Sequence, residues 1–237
     1  APTHPKVTKL GVGANTAGAP LIGYDKDAFT SFGLTQGENG AVSETAAAAY
    51  RAALDHLLTS APTLGQMKVA LWYERDVPDE NSLFTDLFEP RAPAAQDEST
   101  ALERARLLLT AIRTGDRDKR GIGTTRYFGL AMTGAAGRVM VRDYLTGTLE
   151  ELAEAVATWF DDLSIVNVNG SKTANLPGLS RVLRCVLPKK LPGQKDDDYL
   201  KPVRRLQQPL WRAALQPQRP IPQALLPRLL ETHTAHV

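Results

Sequence analysis

Nine of the chain's sixteen prolines fall between Pro177 and Pro227. A proline inside a helix removes a backbone hydrogen bond and clashes with the preceding turn, at a cost of about 3 kcal/mol. The C-terminal part of this 237-residue chain is therefore expected to fold as a series of short helices. Three apolar runs lie among the prolines: Leu179, Val182, Leu183 and Val186; then Leu200, Val203, Leu206 and Leu210; then Leu225, Leu226, Leu229 and Leu230. The charge changes in the same region. Residues 171–230 carry twelve Lys and Arg against three Asp, a net of +9, whereas residues 1–170 carry a net of −6. The overall charge of +2 conceals this asymmetry. A basic half of this kind points either to a polyanion partner or to a solvated basic surface.

Upstream the chain reads differently. Residues 1–40 are glycine-rich and broken by turns, with Leu21–Tyr24 a candidate short strand. Ser43 has the character of an N-cap, with Glu44 in the first turn. Ala46, Tyr50, Ala53, Leu54 and Leu57 then follow at helical spacing over Thr45–Thr59, ending near Pro62. Met67–Tyr73 reads as a central strand, because both of its faces are apolar. Residues 74–98, acidic and proline-rich, read as a loop. Thr100 and Glu103 form a capping box for a helix with Leu102, Ala105, Leu109 and Ile112, which Gly115 ends. Arg126–Met132 and Arg138–Leu145 form a hairpin around a five-residue turn, Thr133–Gly137. Thr148 and Glu151 form a second capping box, before Leu149, Leu152, Val156, Trp159, Phe160 and Leu163. Strand, strand, helix is half of a split βαβ arrangement. The expected fold is α+β: a mixed sheet with a hairpin–helix unit over residues 1–170, then a basic region of short helices over 171–237.

With 43% hydrophobic and 23% charged residues the composition is globular, which excludes a collagen, a coiled coil or a wholly disordered chain. No apolar run approaches the roughly 18 residues of a membrane span, and no charged-then-apolar leader opens the chain. The one cysteine, Cys185, excludes an intrachain disulfide and a Cys-rich zinc site. A reducing compartment, the cytoplasm, is expected, with Cys185 a buried bystander.

Enzyme motifs fail on inspection. Gly13 and Gly18 have P-loop spacing, but Ala19-Pro20 stands where a Lys and a hydroxyl residue must hold phosphate and magnesium. Gly11 and Gly13 begin no dinucleotide fingerprint, because Thr16 replaces the third glycine. The loop reads either as a tight turn or as one that brings backbone close to a ligand. His56 reads as a packed or surface residue, and His233 and His236 as a frayed tail without acidic or thiol partners. Asp161-Asp162 reads as a helix end and Asp196–Asp198 as a solvated loop, with metal binding the weaker alternative. No acid–base set assembles, so the chain is expected to be neither an enzyme nor a metal or cofactor protein.

Three stretches together resemble one family. The first runs from His4-Pro5-Lys6 through Gly13–Ala19 and Leu21–Phe29 to Ser31–Gly33, Asn39, Val42–Glu44, Ala46–Tyr50 and Ala53-Leu54. The second is Thr125–Leu130 with Gly137–Arg142 and Gly147–Leu152. The third is Leu176–Leu179 with Leu187-Pro188 and Pro222–Leu226. The chain resembles the large subunit of the type I-C, or Dvulg-subtype, CRISPR surveillance complex, Cascade. Asn15-Thr16-Ala17 stands where the family pattern has Gln-Ser-Ser. Family chains are longer at both ends, so the resemblance is to a middle segment.

The resemblance implies a non-catalytic subunit of antiviral defence. Such subunits recognise the short motif beside the target (the PAM), help to open the duplex and hold the displaced strand, while guide RNA reads the sequence. The implied partners are target double-stranded DNA, the displaced strand, the RNA-containing backbone, RNA-end-binding and small subunits, and a recruited helicase-nuclease. Lys6 and Lys9 would hold phosphates. Gly13 would let backbone approach a groove, and Asn15 and Thr16 would face base edges. Lys172, Arg181, Arg184, Lys189, Lys190, Arg204 and Arg205 would line a path for DNA. For each cation alone the alternative is a solvated surface charge, and for Asn15 a turn former. The competing function is a structural subunit that binds only protein neighbours.

Overall fold

The computed structural model of the chain describes residues 4–11, 17–24, 26–40, 42–77, 81–90, 101–114, 122–135, 137–164 and 176–234. The fold is α+β with two antiparallel sheets. Strands β1 (Lys6–Val7) and β2 (Ala19–Pro20) pair with Lys6 opposite Pro20 and Val7 opposite Ala19. The second sheet has the order β3 (Thr63–Leu64), β4 (Met67–Tyr73), β5 (Arg126–Ala135), β6 (Arg138–Thr148). The chain forms two compact units, and β4, β5 and β6 each contribute residues to both.

The first unit comprises Ala1–Pro62, Gln66–Leu71 and Gly129–Tyr144. Its helix, α1 (Glu44–Ser60), starts where expected, with the Ser43 hydroxyl accepting the Ala46 amide. The buried stripe of α1 is Ala47, Leu54 and Leu58, with Tyr50 and Leu57 partly covered. Ala46 and Ala53, expected on this face, are exposed. Alanines fit either side of a helix, so the bulky residues set its rotation. Leu54 and Leu58 pack with Val7, Leu10, Ala19, Ala70, Met132 and Val139 to make the core of this unit. The early strand lies at Ala19–Pro20 and not at Leu21–Tyr24. The ladder partner, Lys6–Val7, decides which residues are extended, and it reaches only the residues just after Gly18.

The second unit comprises Thr63–Gly65, Trp72–Phe128 and Leu145–Val237. It holds α2 (Asn81–Phe88), α3 (Ala101–Thr114), α4 (Leu149–Asp162), α5 (Leu179–Cys185), α6 (Asp196–Tyr199), α7 (Arg204–Leu215) and α8 (Leu225–Thr234). Helix α2 corrects the expectation of a loop over 74–98. Leu83, Phe84, Leu87 and Phe88 are buried along one side of it, a helical stripe hidden in the sequence by its acidic, proline-containing surroundings. Phe84, Phe88 and Trp211 of α7 form an aromatic cluster with centroids 5.0–5.8 Å apart, within the range of favourable edge-to-face and offset contacts. Helix α4 packs on α3, α7 and α2, and α5 packs on α7 and α2.

The capping box of α4 is present: the Thr148 hydroxyl accepts the Glu151 amide, and the Glu151 carboxylate accepts the Thr148 amide at 2.8 Å. Burial, aided by the Glu151 charge, pushes the nearby Tyr127 phenol up to about 12, so it stays protonated. Thr100, the cap expected for α3, lies outside the described residues, as do Gly115 and residues 116–121. The hairpin strands run to Ala135 and resume at Arg138, so the connection is shorter than the expected Thr133–Gly137 turn. Gly137 at φ +79° takes the left-handed conformation that such a tight reversal favours. Asp196–Asp198 opens the one-turn helix α6 and does not form a loop. Cys185 is exposed, not buried, because Leu179 and Leu183 take the inner side of α5.

One ion pair inside the second unit has no sequence signature. Asp86 of α2 is 0% exposed and accepts two bonds from Arg104 of α3, at 3.1 and 2.7 Å. Removing one partner of a buried pair leaves an uncompensated charge, at a cost of about 3–5 kcal/mol. Arg104→Met is therefore expected to lower the unfolding free energy by about 3 kcal/mol, measured by urea denaturation, whereas Arg106→Met, which breaks an exposed pair with Asp161, is expected to change it by less than about 1 kcal/mol.

Candidate nucleic-acid interface

In the first unit, the glycine-rich segment leaves β1 and returns into β2, and its stem is held by side chains of α1. The Asp55 carboxylate accepts the Thr8 amide at 2.7 Å, the Lys9 amide at 3.1 Å and the Thr8 hydroxyl at 3.0 Å. Arg51 Nε lies 3.0 Å from Asp55 Oδ2 and 3.3 Å from the Lys6 carbonyl oxygen, to which it donates. Lys68 Nζ donates to the Lys9 carbonyl at 2.9 Å. Burial disfavours the Asp55 anion, but these amide and hydroxyl bonds with the Arg51 charge outweigh it, so the carboxyl stays below its ordinary range. Burial first, and the Lys9 charge second, pull Lys68 below the usual lysine value. Gly18 closes the stem at φ +81°, and a Cβ there would stand 2.7 Å from the Val7 carbonyl oxygen. The left-handed backbone and the close approach both demand glycine.

Lys6 and Lys9 are exposed on this stem. Gly13, Asn15 and Thr16 lie outside the described residues. His4, which opens the family-like stretch, is buried. Its Nδ1 shares a 3.1 Å hydrogen bond with the Tyr50 hydroxyl, and the two rings stack. Burial raises the Tyr50 phenol, keeping it protonated. Asp55, Arg51 and Lys68 were not singled out in the sequence, because contacts spanning 45 to 59 positions leave no local pattern.

In the second unit the basic residues sit on the outer sides of short helices. Leu179 and Leu183 bury one side of α5, leaving Arg181 and Arg184, one turn apart, exposed. Lys189 and Lys190 follow, also exposed. On α7, Leu206, Leu210 and Trp211 face inward while Arg204 and Arg205 are exposed in its first turn. Lys190 pairs with Asp196 at 2.7 Å. Arg181, Arg184, Lys189 and Arg205 have no carboxylate partner among the described residues. Lys172 lies outside the described residues. Cations at the start of α7 oppose the helix dipole by a few tenths of a kcal/mol or more unless an anion is bound. The packing of α5 on α7 thus gathers Arg181, Arg184, Arg204 and Arg205 onto adjoining helices.

This arrangement can hold phosphates. Among the described residues, no group of three or more His, Cys, Asp or Glu side chains is placed to hold a metal ion, and no helix is long and apolar enough to cross a membrane. Asp161 ends α4 and pairs with Arg106 at 2.8 Å, and Asp198 lies 3.8 Å from Lys201. His56 is exposed on α1.

Over residues 1–237 the chain matches the family model described as CRISPR-associated protein (Cas_Csd1). The chain belongs to this family. No curated protein matches it. Membership connects the chain to CRISPR defence and to assemblies of CRISPR-associated subunits.

The Asp55 clamp makes a sign-definite prediction. Its folded pKa is depressed, so the carboxylate contributes stability that is fully present above the ordinary unfolded value and is lost as pH falls through the lower folded value. Asp55→Asn is expected to destabilise the chain by roughly 2 kcal/mol at neutral pH, with the wild-type advantage in melting temperature shrinking steadily as pH falls below the ordinary Asp range. A difference that stays constant with pH would contradict the clamp.

Proposed function

We propose that this chain is the non-catalytic, DNA-binding part of the large subunit of a type I-C CRISPR surveillance complex. In this reading it contributes to PAM recognition, duplex opening and holding of the target, alongside the RNA-bearing backbone, RNA-end-binding and small subunits, and helps to recruit a helicase-nuclease. The observation that carries the reading is four exposed cations, Arg181, Arg184, Lys189 and Arg205, that have no carboxylate partner among the described residues, in a chain of a CRISPR-associated family. Phosphate contacts of this kind supply sequence-independent affinity and position the protein. The stem around Lys6, Lys9 and Gly18 supports a second role. Its backbone is held by Asp55, Arg51 and Lys68, which suits a loop that must present Asn15 and Thr16 to base edges.

A structural subunit that docks only on protein is the second reading, and one observation favours it. Phe32 is 100% exposed at φ +60°, in an acidic stretch. An aromatic side chain held in a disfavoured backbone conformation suits a protein-docking knob.

The test uses the reconstituted complex and short duplexes with a randomised PAM at two or more salt concentrations. Reversing Arg181, Arg184 and Lys189 to Glu is expected to leave assembly intact, weaken target binding more than about tenfold, and flatten the log–log salt slope by about 2–3 units. Asn15→Ala is expected to flatten PAM preference while leaving the salt slope unchanged. Failed assembly of the charge-reversed complex would favour the structural reading.

A further inference from the structure

The second unit carries an aromatic feature that the basic helices do not account for. The Glu74 amide donates to the Arg126 carbonyl at 2.9 Å, which sets Trp72 of β4 directly across from Phe128 of β5. Their rings stack at 5.5 Å between centroids and 22° between planes. The Arg126 guanidinium lies over the Phe128 ring, 5.2 Å from its centroid. Trp72 and Phe128 are only half-buried and Arg126 is exposed. The other two tryptophans are spent on the interior. Trp211 is fully buried, and Trp159 is buried with its indole N–H donating to the Pro177 carbonyl at 3.3 Å.

A cross-strand aromatic pair stabilises a sheet, and the guanidinium over Phe128 adds to it, but neither role uses the open side of the stack. Aromatic rings and arginine planes on neighbouring strands, accessible to solvent and carrying positive charge, are the chemistry that stacks unpaired bases. A paired base inside a duplex offers no free face, so the ligand must be unpaired.

We infer that Arg126, Phe128 and Trp72 form a stacking platform for an unpaired nucleobase of a single strand. This rests on the nucleic-acid-binding reading above but uses a different set of residues from the basic helices. The strand's source, DNA or RNA, shares this chemistry.

The experiment titrates the 237-residue chain with short oligothymidine, oligouridine and abasic DNA strands while recording intrinsic fluorescence. Trp72 is the accessible indole, so base stacking is expected to quench it on binding of base-bearing strands and not of the abasic strand. Phe128→Leu and Arg126→Gln are expected to weaken binding by about tenfold each. The Phe128→Leu loss persists at high salt, since ring stacking releases no counterions, whereas the part of the Arg126→Gln loss that comes from its charge shrinks. Trp72→Phe keeps a stacking ring and is expected to retain most affinity while removing the quench. Arg126 is exposed, so Arg126→Gln tests the platform even if Phe128→Leu lowers the melting temperature. The stronger of the thymidine and uridine responses identifies the source. Equal binding of the abasic strand, or variants that bind as tightly as wild type, would overturn the platform. Loss of binding by the Arg181, Arg184 and Lys189 reversals in that case would leave the nucleic-acid reading standing. Absence of binding by every strand at low salt would overturn both.

Discussion

The basic surface of the second unit depends on how α7 is anchored. Trp211 sits with no exposed surface against Phe84 and Phe88 of α2. Burying aromatic side chains of this size contributes on the order of 3 kcal/mol each. That contact fixes which side of α7 faces inward and so which side holds Arg204 and Arg205. Helix α5 then packs on α7 through Leu179 and Leu183, and the same logic turns Arg181 and Arg184 outward. Exposed cations of one sign give little stability. They persist because the apolar side of each helix supplies the packing.

The first unit solves a different problem. A glycine-rich segment has the largest conformational entropy to lose on folding, and here its start is held by charged groups while its return is held by the ladder of β1 with β2. Asp55 gathers two amides and a hydroxyl at the start of the segment, and Lys68 takes the adjacent carbonyl. Charge-assisted bonds of this kind are stronger than neutral ones, and Arg51 adds one to the Lys6 carbonyl. Ordering the stem in advance reduces the entropy that any ligand of the loop must supply.

The sequence made much of the scaffold legible. The helix starts at Ser43 and Thr148, the strand Met67–Tyr73 and the two strands after Arg126 all follow from local rules of capping and period. The short C-terminal helices were expected between the prolines, yet α7 runs through Pro209, because burial of its apolar side outweighs the lost backbone bond, and α8 takes Pro227 in its first turn, where no such bond is lost. The failures share a cause. Helix α2 was hidden because its eight residues sit in acidic, proline-containing surroundings, and its stripe becomes meaningful only once Trp211 is there to receive it. The strand at Ala19–Pro20 was misplaced by a few residues because its partner, Lys6–Val7, selects it. Cys185 was expected inside, yet on a helix of seven residues only one side can be buried, and two leucines claim it.

Of the candidate site, residue type and charge were readable, and proximity was not. The twelve cations of residues 171–230 announce a basic region by count alone. Which of them pair with carboxylates, as Lys190 does with Asp196, depends on distances the sequence does not encode. The Asp55 clamp, the Asp86–Arg104 pair and the Trp72–Phe128 stack join residues 18 to 56 positions apart. Local chemistry determined where helices begin, because capping acts within a turn. Only the tertiary structure decided which charges are neutralised and which aromatics meet, because electrostatic and packing energies depend on separation in space and not along the chain.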